Sequence, residues 1–436
     1  MSNKKVSTQP YKGARDFYPE DKRVQEWLFT TWKQVVEQFG YEAYEAPILE
    51  PTDLYLMKGS EEIVQEQTYT FKDRGDRSVT IRTEMTPTVS RMIAGRRQEI
   101  AYPARWYSIP NLWRYERMQR GRLREFWQLN VDVFGIESLQ AEIEMIQIMD
   151  ALLQAFKAKR STYVIKVNSR KLVNDLLSDL CGLNEEQTAQ AIRTIDRKNK
   201  MSANEFEVVI NEIVRDEQKT LTLIDALNVK SIADLPQNLA EHSSVIGLTS
   251  VLSQVEALGI SNVEFDLSLM RGFDYYTDIV FEVFDSNPDN NRSMFGGGRY
   301  DGLVAQFGVD SIPTVGFGMG DVTFMNFLES HKLLPSINPS TEVMIILRDE
   351  KVSGKIHVIA SRMREEGVKV AVDFSGKKVD KQFKSANKQG VKFAMFIGVE
   401  ELESEQYVLK ELTTGKEEKH SLDRIISIIK DRRIKK

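Results

Sequence analysis

Cysteine and histidine are scarce in this 436-residue chain: one Cys181, and four histidines at 242, 331, 357 and 420. A lone thiol forms no internal disulfide, which fits a reducing compartment. The histidines stand far apart and show no metal-ligand spacing, so no metal-binding set is read from the sequence. Long apolar runs are also missing. Nothing approaches the ~20 residues of a membrane span, and the polar stretch Met1–Pro10 has no apolar core of a secretion signal. The expectation is a cytoplasmic protein with no membrane association. Phosphate-binding and nucleophile motifs are absent too: there is no G-x-x-x-x-G-K-[ST] loop and no G-x-S-x-G elbow. Gly316-Phe317-Gly318-Met319-Gly320 follows a strand pattern, but it reads GxGxG and no N-terminal βαβ unit surrounds it. Close packing permitted by glycine explains it better than a dinucleotide site. If the chain uses a nucleotide, it does so by another route.

What is present is a globular composition, 41% apolar and 28% charged. The length implies two or three domains. Net charge is −5, but it is unevenly spread. Residues 341–436 carry 21 Lys+Arg against 16 Asp+Glu, while residues 1–340 carry 38 against 48. A basic C-terminal end on an acidic body points toward a polyanionic partner, although an ordinary solvated surface gives the same imbalance.

Periodicity predicts an amphipathic helix over 21–39, with Val24, Trp27, Leu28, Trp32, Val35, Val36 and Phe39 on one stripe and Gly40 as its stop. A strand over Tyr41–Ala46 ends at Pro47. Ser78–Arg82 alternates as a strand, and Thr86-Pro87 reads as an N-cap followed by a first-turn proline. Strands are expected at Trp106–Tyr115, Phe126–Phe134, Tyr163–Val167, Val263–Leu267, Tyr275–Phe284 and Thr314–Met319, with a long helix at Leu139–Phe156. Residues 168–261 are polar and mostly helical, an inserted module between halves 1–167 and 262–330 of one domain. The stretch 331–341, with Pro335 and Pro339, reads as a linker. Beyond it, 342–436 alternates strands (Val343–Leu347, Val368–Asp373, Phe393–Ile397) with helices, a small α/β domain with at least partly parallel strands.

Chemistry concentrates between Arg105 and Gly135. Arg114, Arg117, Arg120, Arg122 and Arg124 fall within eleven residues, on a strand end and the loop after it. Guanidinium forks match phosphate oxygens, so such a hairpin suits a polyphosphate or a nucleic-acid end. A solvated basic loop balanced by Glu116 and Glu125 fits the same composition, and the cluster alone does not choose.

The surrounding words do. Leu112-Trp113-Arg114-Tyr115-Glu116-Arg117, then Gln119-Arg120-Gly121-Arg122 and Arg124-Glu125-Phe126 with Gln128-Leu129, resemble motif 2 of class II aminoacyl-tRNA synthetases. Arg271-Gly272-Phe273-Asp274-Tyr275-Tyr276 resembles a signature of the histidyl-tRNA synthetase family and its close paralogues. Gly297-Gly298-Arg299-Tyr300-Asp301-Gly302-Leu303, Arg82-Thr83-Glu84-Met85-Thr86 and Lys12-Gly13-Ala14-Arg15-Asp16-Phe17 are similar to that family as well, and the match runs over roughly 11–430. The helix 21–39 with Pro47 resembles motif 1, the family's dimer interface.

The resemblance implies an α+β fold: a class II synthetase-like catalytic domain on an antiparallel sheet, a helical insertion, and a C-terminal α/β anticodon-binding-like domain. It implies ATP-dependent joining of L-histidine to tRNA(His) through a histidyl-adenylate, by a homodimer with ATP as substrate and Mg²⁺ as its companion. Arg114 and Arg271 would be catalytic. Glu84, Met85, Thr86, Gln128, Asp132, Tyr275 and Tyr276 would hold histidine. ATP would meet Arg114, Glu116, Arg122, Phe126 and Arg271, and Gln119 and Arg124 would touch the tRNA acceptor end. Two positions depart from the family pattern. Asp132 stands where Glu is frequent, and Val322-Thr323 replace the Glu-Arg pair of motif 3, whose arginine contacts the γ-phosphate. Arg122 and Arg299 are the candidates to replace it. Two other readings remain open at this level. One is a non-catalytic, synthetase-like regulatory subunit of ATP phosphoribosyltransferase, a paralogue type that usually lacks the C-terminal domain. The other is a plain RNA-binding protein.

Overall fold

A computed structural model of the chain describes residues 6–56, 67–198, 201–270, 275–290 and 293–434. The chain divides into two compact units, one of residues up to 16 with 26–334, the other of 17–25 with 335–436.

The first unit is built on a large sheet. Its strands are β1 (Glu42–Ala43), β5 (Ala104–Ser108), β6 (Asn111–Trp113), β7 (Glu125–Phe134), β8 (Tyr163–Ser169), β9 (Val263–Phe265), β10 (Ile279–Asp285), β11 (Ser293–Arg299) and β12 (Thr314–Gly320). Their order is β1-β5-β7-β12-β11-β10-β8-β9, with β6 paired to β7. All pairs are antiparallel except the two at the edges, β1 with β5 and β8 with β9. A smaller antiparallel sheet orders β2 (Leu49–Pro51), β4 (Ser78–Ile81) and β3 (Tyr69–Lys72).

β7 shows how the sequence positions a site. Alternate residues of a strand face opposite ways. Leu129, Val131 and Val133 are buried in the main core, where Leu28 and Trp32 of α1 (Pro19–Gln38) and the apolar side of α3 (Gln140–Ala155) also lie. Gln128, Asn130 and Asp132 therefore face the other way, into a cleft. The helix at Thr86–Arg96, α2, begins one residue earlier than the sequence suggested. Met85 occupies the cap position without a side-chain bond, and Thr86 and Pro87 are its first two residues.

Among the described residues between β8 and β9 lie five α-helices, α4 to α8, over 170–179, 185–196, 203–214, 217–228 and 243–257. Ser169, Asn184, Ser202 and Asp216 each accept a bond from a backbone N–H of the following first turn, so polar residues punctuate this helical stretch. The last helix of this unit, α9 (Asp321–Ser330), follows β12 directly. The second unit carries a five-stranded sheet, β14 (Val370–Asp373), β13 (Val343–Leu347), β15 (Phe393–Ile397), β16 (Tyr407–Glu411) and β17 (Glu417–His420), in that order. The first three are parallel and the last two antiparallel. Helices at Ser353–Glu365 and Leu422–Ile434 contribute Ile356, Ala360, Met363, Ile425 and Ile429 to its core.

Several strands differ from the periodicity reading. The strand expected over 106–115 is two, broken at Ile109-Pro110, because proline has no N–H to give the ladder. The strand expected over 41–46 shrinks to Glu42–Ala43. β11 escaped notice because Gly296-Gly297-Gly298 carries no hydrophobic pattern, and the polar hairpin β16–β17 gave only a weak one.

Candidate active site

Strands β7, β11 and β12, the segment before β10 and the start of α2 enclose one cleft. It is lined by Glu84, Thr86, Arg114, Gln128, Asn130, Asp132, Tyr275, Tyr276, Tyr300 and the strand residues Gly296, Gly316, Phe317 and Gly318. Glycine is required on its floor. A Cβ on Gly316 would lie 2.0 Å from Asp132 Oδ1, and one on Gly297 would lie 1.8 Å from the Gly316 carbonyl oxygen. Gly316 leaves Asp132 the space its carboxylate occupies and Gly297 lets β11 lie against the β12 backbone, which is the close packing expected of Gly316-Phe317-Gly318.

Two buried acids mark the cleft. Asp132, 4% exposed, accepts a hydrogen bond from the Tyr300 hydroxyl at 2.5 Å. Burial raises its pKa to about 7, partly offset by that bond. Tyr300 in turn is raised well above the phenol range, by burial first and the Asp132 charge second. Glu84, 5% exposed, accepts from the Tyr275 hydroxyl at 3.2 Å. Burial raises its pKa, and the charge of Arg114 opposes the rise. The rings of Tyr275, Tyr276 and Tyr300 stand 4.9–6.5 Å apart and wall the cleft. Desolvated carboxylates and phenols of this kind recognise a ligand rich in N–H donors.

Arg114 is the cation among the described lining residues. Its Nε donates to the Thr83 carbonyl at 3.0 Å and its guanidinium stands 5.5 Å from the Phe126 ring, over its face. The loop beyond is a tight turn with Gln119 and Arg122 bridged, and Arg122 pairs with Glu116 at 3.0 Å. Gly121, at φ +81°, sits at the tip, where a Cβ would approach the Thr323 methyl to 3.3 Å. So the arginine loop rests on α9 at the position where the family has its motif 3 arginine. Thr323 itself donates to the Met294 carbonyl at 2.8 Å.

Of the residues singled out in the sequence, Glu84, Thr86, Arg114, Gln128, Asp132, Tyr275 and Tyr276 line this cleft together. Glu116, Gln119, Arg122, Arg124 and Phe126 belong to the hairpin beside it. Met85 is fully buried and does not reach the wall. Arg271 lies outside the described residues. Arg299 is not a phosphate ligand. It is 4% exposed, forks onto Glu142 at 2.6 and 2.8 Å, and donates to the carbonyls of Ile136 and Ser138. A buried guanidinium so fully bonded has nothing left for a nucleotide. Sequence reasoning missed Tyr300 and Asn130. Tyr300 stood in a matched motif, but only the sheet shows that its hydroxyl crosses to β7.

An antiparallel sheet backed by helices, with an arginine hairpin over an acidic cleft, is the catalytic architecture of the class II aminoacyl-tRNA synthetases. A family model described as histidyl-tRNA synthetase matches residues 13–321, and one described as anticodon binding domain matches 342–432. A histidine–tRNA ligase of Leptospira biflexa is 38% identical over 99% of both chains. A chloroplastic/mitochondrial histidine–tRNA ligase of Arabidopsis thaliana is 34% identical over 95% of this chain and 85% of its own. The crystal structure of histidyl-tRNA synthetase from Nostoc sp. PCC 7120 superposes with a TM-score of 0.83, at 24% identity over 98% of this chain and all of that one, a likeness of fold. The chain belongs to the histidyl-tRNA synthetase family.

Proposed function

We propose that this chain is a cytoplasmic, homodimeric ligase that activates L-histidine with ATP and transfers it to tRNA(His). The observation that carries the reading is the pair of buried acid–tyrosine contacts, Asp132 with Tyr300 and Glu84 with Tyr275, in the cleft that Arg114 enters. Asp132 would take an imidazole N–H, and Gln128, Tyr275 and Tyr276 would close around the ring. Glu84 and Thr86 would take the ammonium end. An apolar amino acid of similar size would leave these groups desolvated and unpaired, which penalises it.

In the first step a carboxylate oxygen of histidine attacks the α-phosphorus, the bond to the β-phosphate oxygen breaks, and pyrophosphate leaves. The attacking group is already ionised near pH 7, so no general base is needed. The residues hold two anions in line and offset their charge. Arg114 would lie on the α-phosphate with Phe126 under the adenine, Glu116 and Arg122 on the rest of the nucleotide, and Arg271 between the carboxylate and the α-phosphate. Mg²⁺ would arrive with the triphosphate and supply further charge neutralisation, since that ion is usually held by substrate phosphates with one or two carboxylates. In the second step a ribose hydroxyl at the tRNA end attacks the acyl carbonyl and AMP leaves, with Gln119 and Arg124 at the acceptor end and the second unit on the anticodon.

Full-length similarity to ligases, including the 342–432 match, supports this over the regulatory-subunit reading. A cytoplasmic setting agrees with Cys181, buried and with its thiol pushed up to about 11 by burial. No described helix is long and apolar enough to cross a membrane. The dimer agrees with exposed Ile48, Leu49 and Phe71 beside the motif 1-like segment; a monomer in sedimentation at micromolar concentration would refute it.

ATP–pyrophosphate exchange, run with each amino acid in turn and with Mg²⁺ but no tRNA, tests the whole. Exchange with histidine alone is expected. A folded protein that exchanges with no amino acid would return the regulatory subunit to the lead.

A further inference from the structure

Outside the cleft, four aromatic rings from three distant segments gather around one arginine. Tyr11 belongs to the N-terminal strap, Tyr69 to β3, and Trp113 and Tyr115 to the strand end that carries Arg114. Their centroids lie 5.5–6.4 Å apart in edge and tilted arrangements. The Arg124 guanidinium stacks 3.9 Å from the Tyr115 ring centre and 5.8 Å from that of Tyr11, and it donates to the Tyr11 hydroxyl at 3.1 Å.

Three features set this cluster apart from ordinary packing. Tyr11 and Tyr115 remain 53% and 50% exposed, so half of each residue is left to solvent even with Arg124 over the rings. Arg124 has no carboxylate within ion-pair distance among the described residues. Arg15, Arg82, Arg91, Arg105 and Arg122 each have one. Its charge is held by rings and by the Glu116 carbonyl, and is still open to an anion. The strap does not need the rings as an anchor. Both Arg124 N–H and Glu125 N–H donate to the Gly13 carbonyl, at 3.0 and 3.1 Å, and Arg15 pairs with Asp321 at 2.7 Å. Gly13, at φ +90°, lies so close that a Cβ there would meet Arg124 carbons at 2.7–2.9 Å. The strap is laid down on Arg124, with Tyr11 beside it.

We propose that Tyr11, Tyr69, Trp113 and Tyr115 form a stacking platform for one unpaired base of the tRNA acceptor end, with Arg124 bound to the adjoining phosphate. An aromatic face beside an unpaired cation fits a single-stranded nucleotide, whose base stacks while its phosphate is neutralised. Position assigns it to the acceptor end. Just past β6 the Arg114 N–H bonds to the Arg124 carbonyl, and Tyr69 meets both Trp113 and Tyr115, so these two rings gather on Tyr69 while Arg114 between them lines the cleft. The platform is thus one strand away from the reacting centre and separate from the ring proposed for the adenine of ATP. It takes a base next to the reacting nucleotide. This rests on the ligase reading above.

The test uses the full-length protein and tRNA(His) transcripts with 2-aminopurine at each unpaired acceptor-end position in turn. Binding is expected to quench one position. Tyr115→Ala and Tyr11→Ala should abolish that quench and weaken binding roughly 5- to 150-fold, the range of one lost base stack. Tyr115→Phe, which keeps the ring, should retain both. Circular dichroism of each variant confirms that it is folded. Transcripts that bind and are charged, with quenching indifferent to both alanine variants, would overturn the platform alone. Loss in Tyr115→Phe equal to that in Tyr115→Ala would also overturn it, since a hydroxyl rather than a face would then be at work. A wild-type protein that binds no tRNA would overturn the platform together with the ligase reading.

Discussion

Asp132 and Gly316 form a matched pair, and each is understood only through the other. The carboxylate fills the space that any side chain at 316 would take. Gly316→Ala should therefore push Asp132 off the Tyr300 hydroxyl, raising the KM for histidine at least tenfold in pyrophosphate exchange while the KM for ATP moves little. Equal changes in both would show a general collapse of β12 instead. The pKa of Asp132 gives a second expectation. A carboxyl raised to about 7 in the folded state, against roughly 3.9 unfolded, binds its proton more tightly when folded. Its contribution to stability is whole below about pH 4 and is lost as pH rises to 7. The difference in Tm between Asp132→Asn and wild type, without ligand, should thus grow in favour of the variant from pH 5 to 7.5. A difference that stays flat would show that Asp132 titrates normally. The two acids themselves were legible, since Glu84 sat in a quoted motif and Asp132 at a position that could be matched to the family. Tyr300 was not assigned, because its hydroxyl meets a strand 168 positions away, and side-chain direction hid the burial of Met85.

At the scale of elements, the arginine loop and α9 fit together around a small side chain. Gly121 comes within 3.3 Å of the Thr323 methyl once a Cβ is imagined on it, so an arginine at 323 would occupy ground the loop now covers. Thr323→Arg restores the residue common in the family, yet it should lift the loop, break the Arg122–Glu116 pair and raise the KM for ATP several-fold in exchange assays. An improved KM for ATP would mean that the loop moves aside and the family contact is re-formed. The sequence showed the missing arginine but not the reason for it, because a loop tip resting on a helix leaves no periodic signal. The longer helices and strands, by contrast, were readable from apolar spacing. The glycine strand β11 was not, since its residues bring backbone to backbone and carry no side-chain pattern.

Over the whole molecule, charge and fold divide along the same line. Residues 341–436 carry the excess of Lys and Arg, and they form a sheet with a core of its own. On its surface, Lys377 and Lys378 lead into the helix at Val379–Lys388, which carries Lys381, and all three are exposed without a carboxylate partner among the described residues. If this unit holds RNA, those lysines should neutralise phosphates and release counterions on binding. Replacing Lys377, Lys378 and Lys381 together by Glu should raise the KM for tRNA(His) by at least tenfold and leave histidine-dependent exchange, which needs no tRNA, as it was. The slope of log affinity against log salt should fall by roughly two to three, about 0.7–0.9 for each phosphate no longer neutralised. The two readouts separate two causes. A weaker KM with an unchanged slope would mean that the helix had been damaged while its phosphate pairing survived. An unchanged KM would place the RNA on another face of this unit. Either way the exchange rate reports the cleft alone, so the work of the two units can be measured apart even though they lie on one chain.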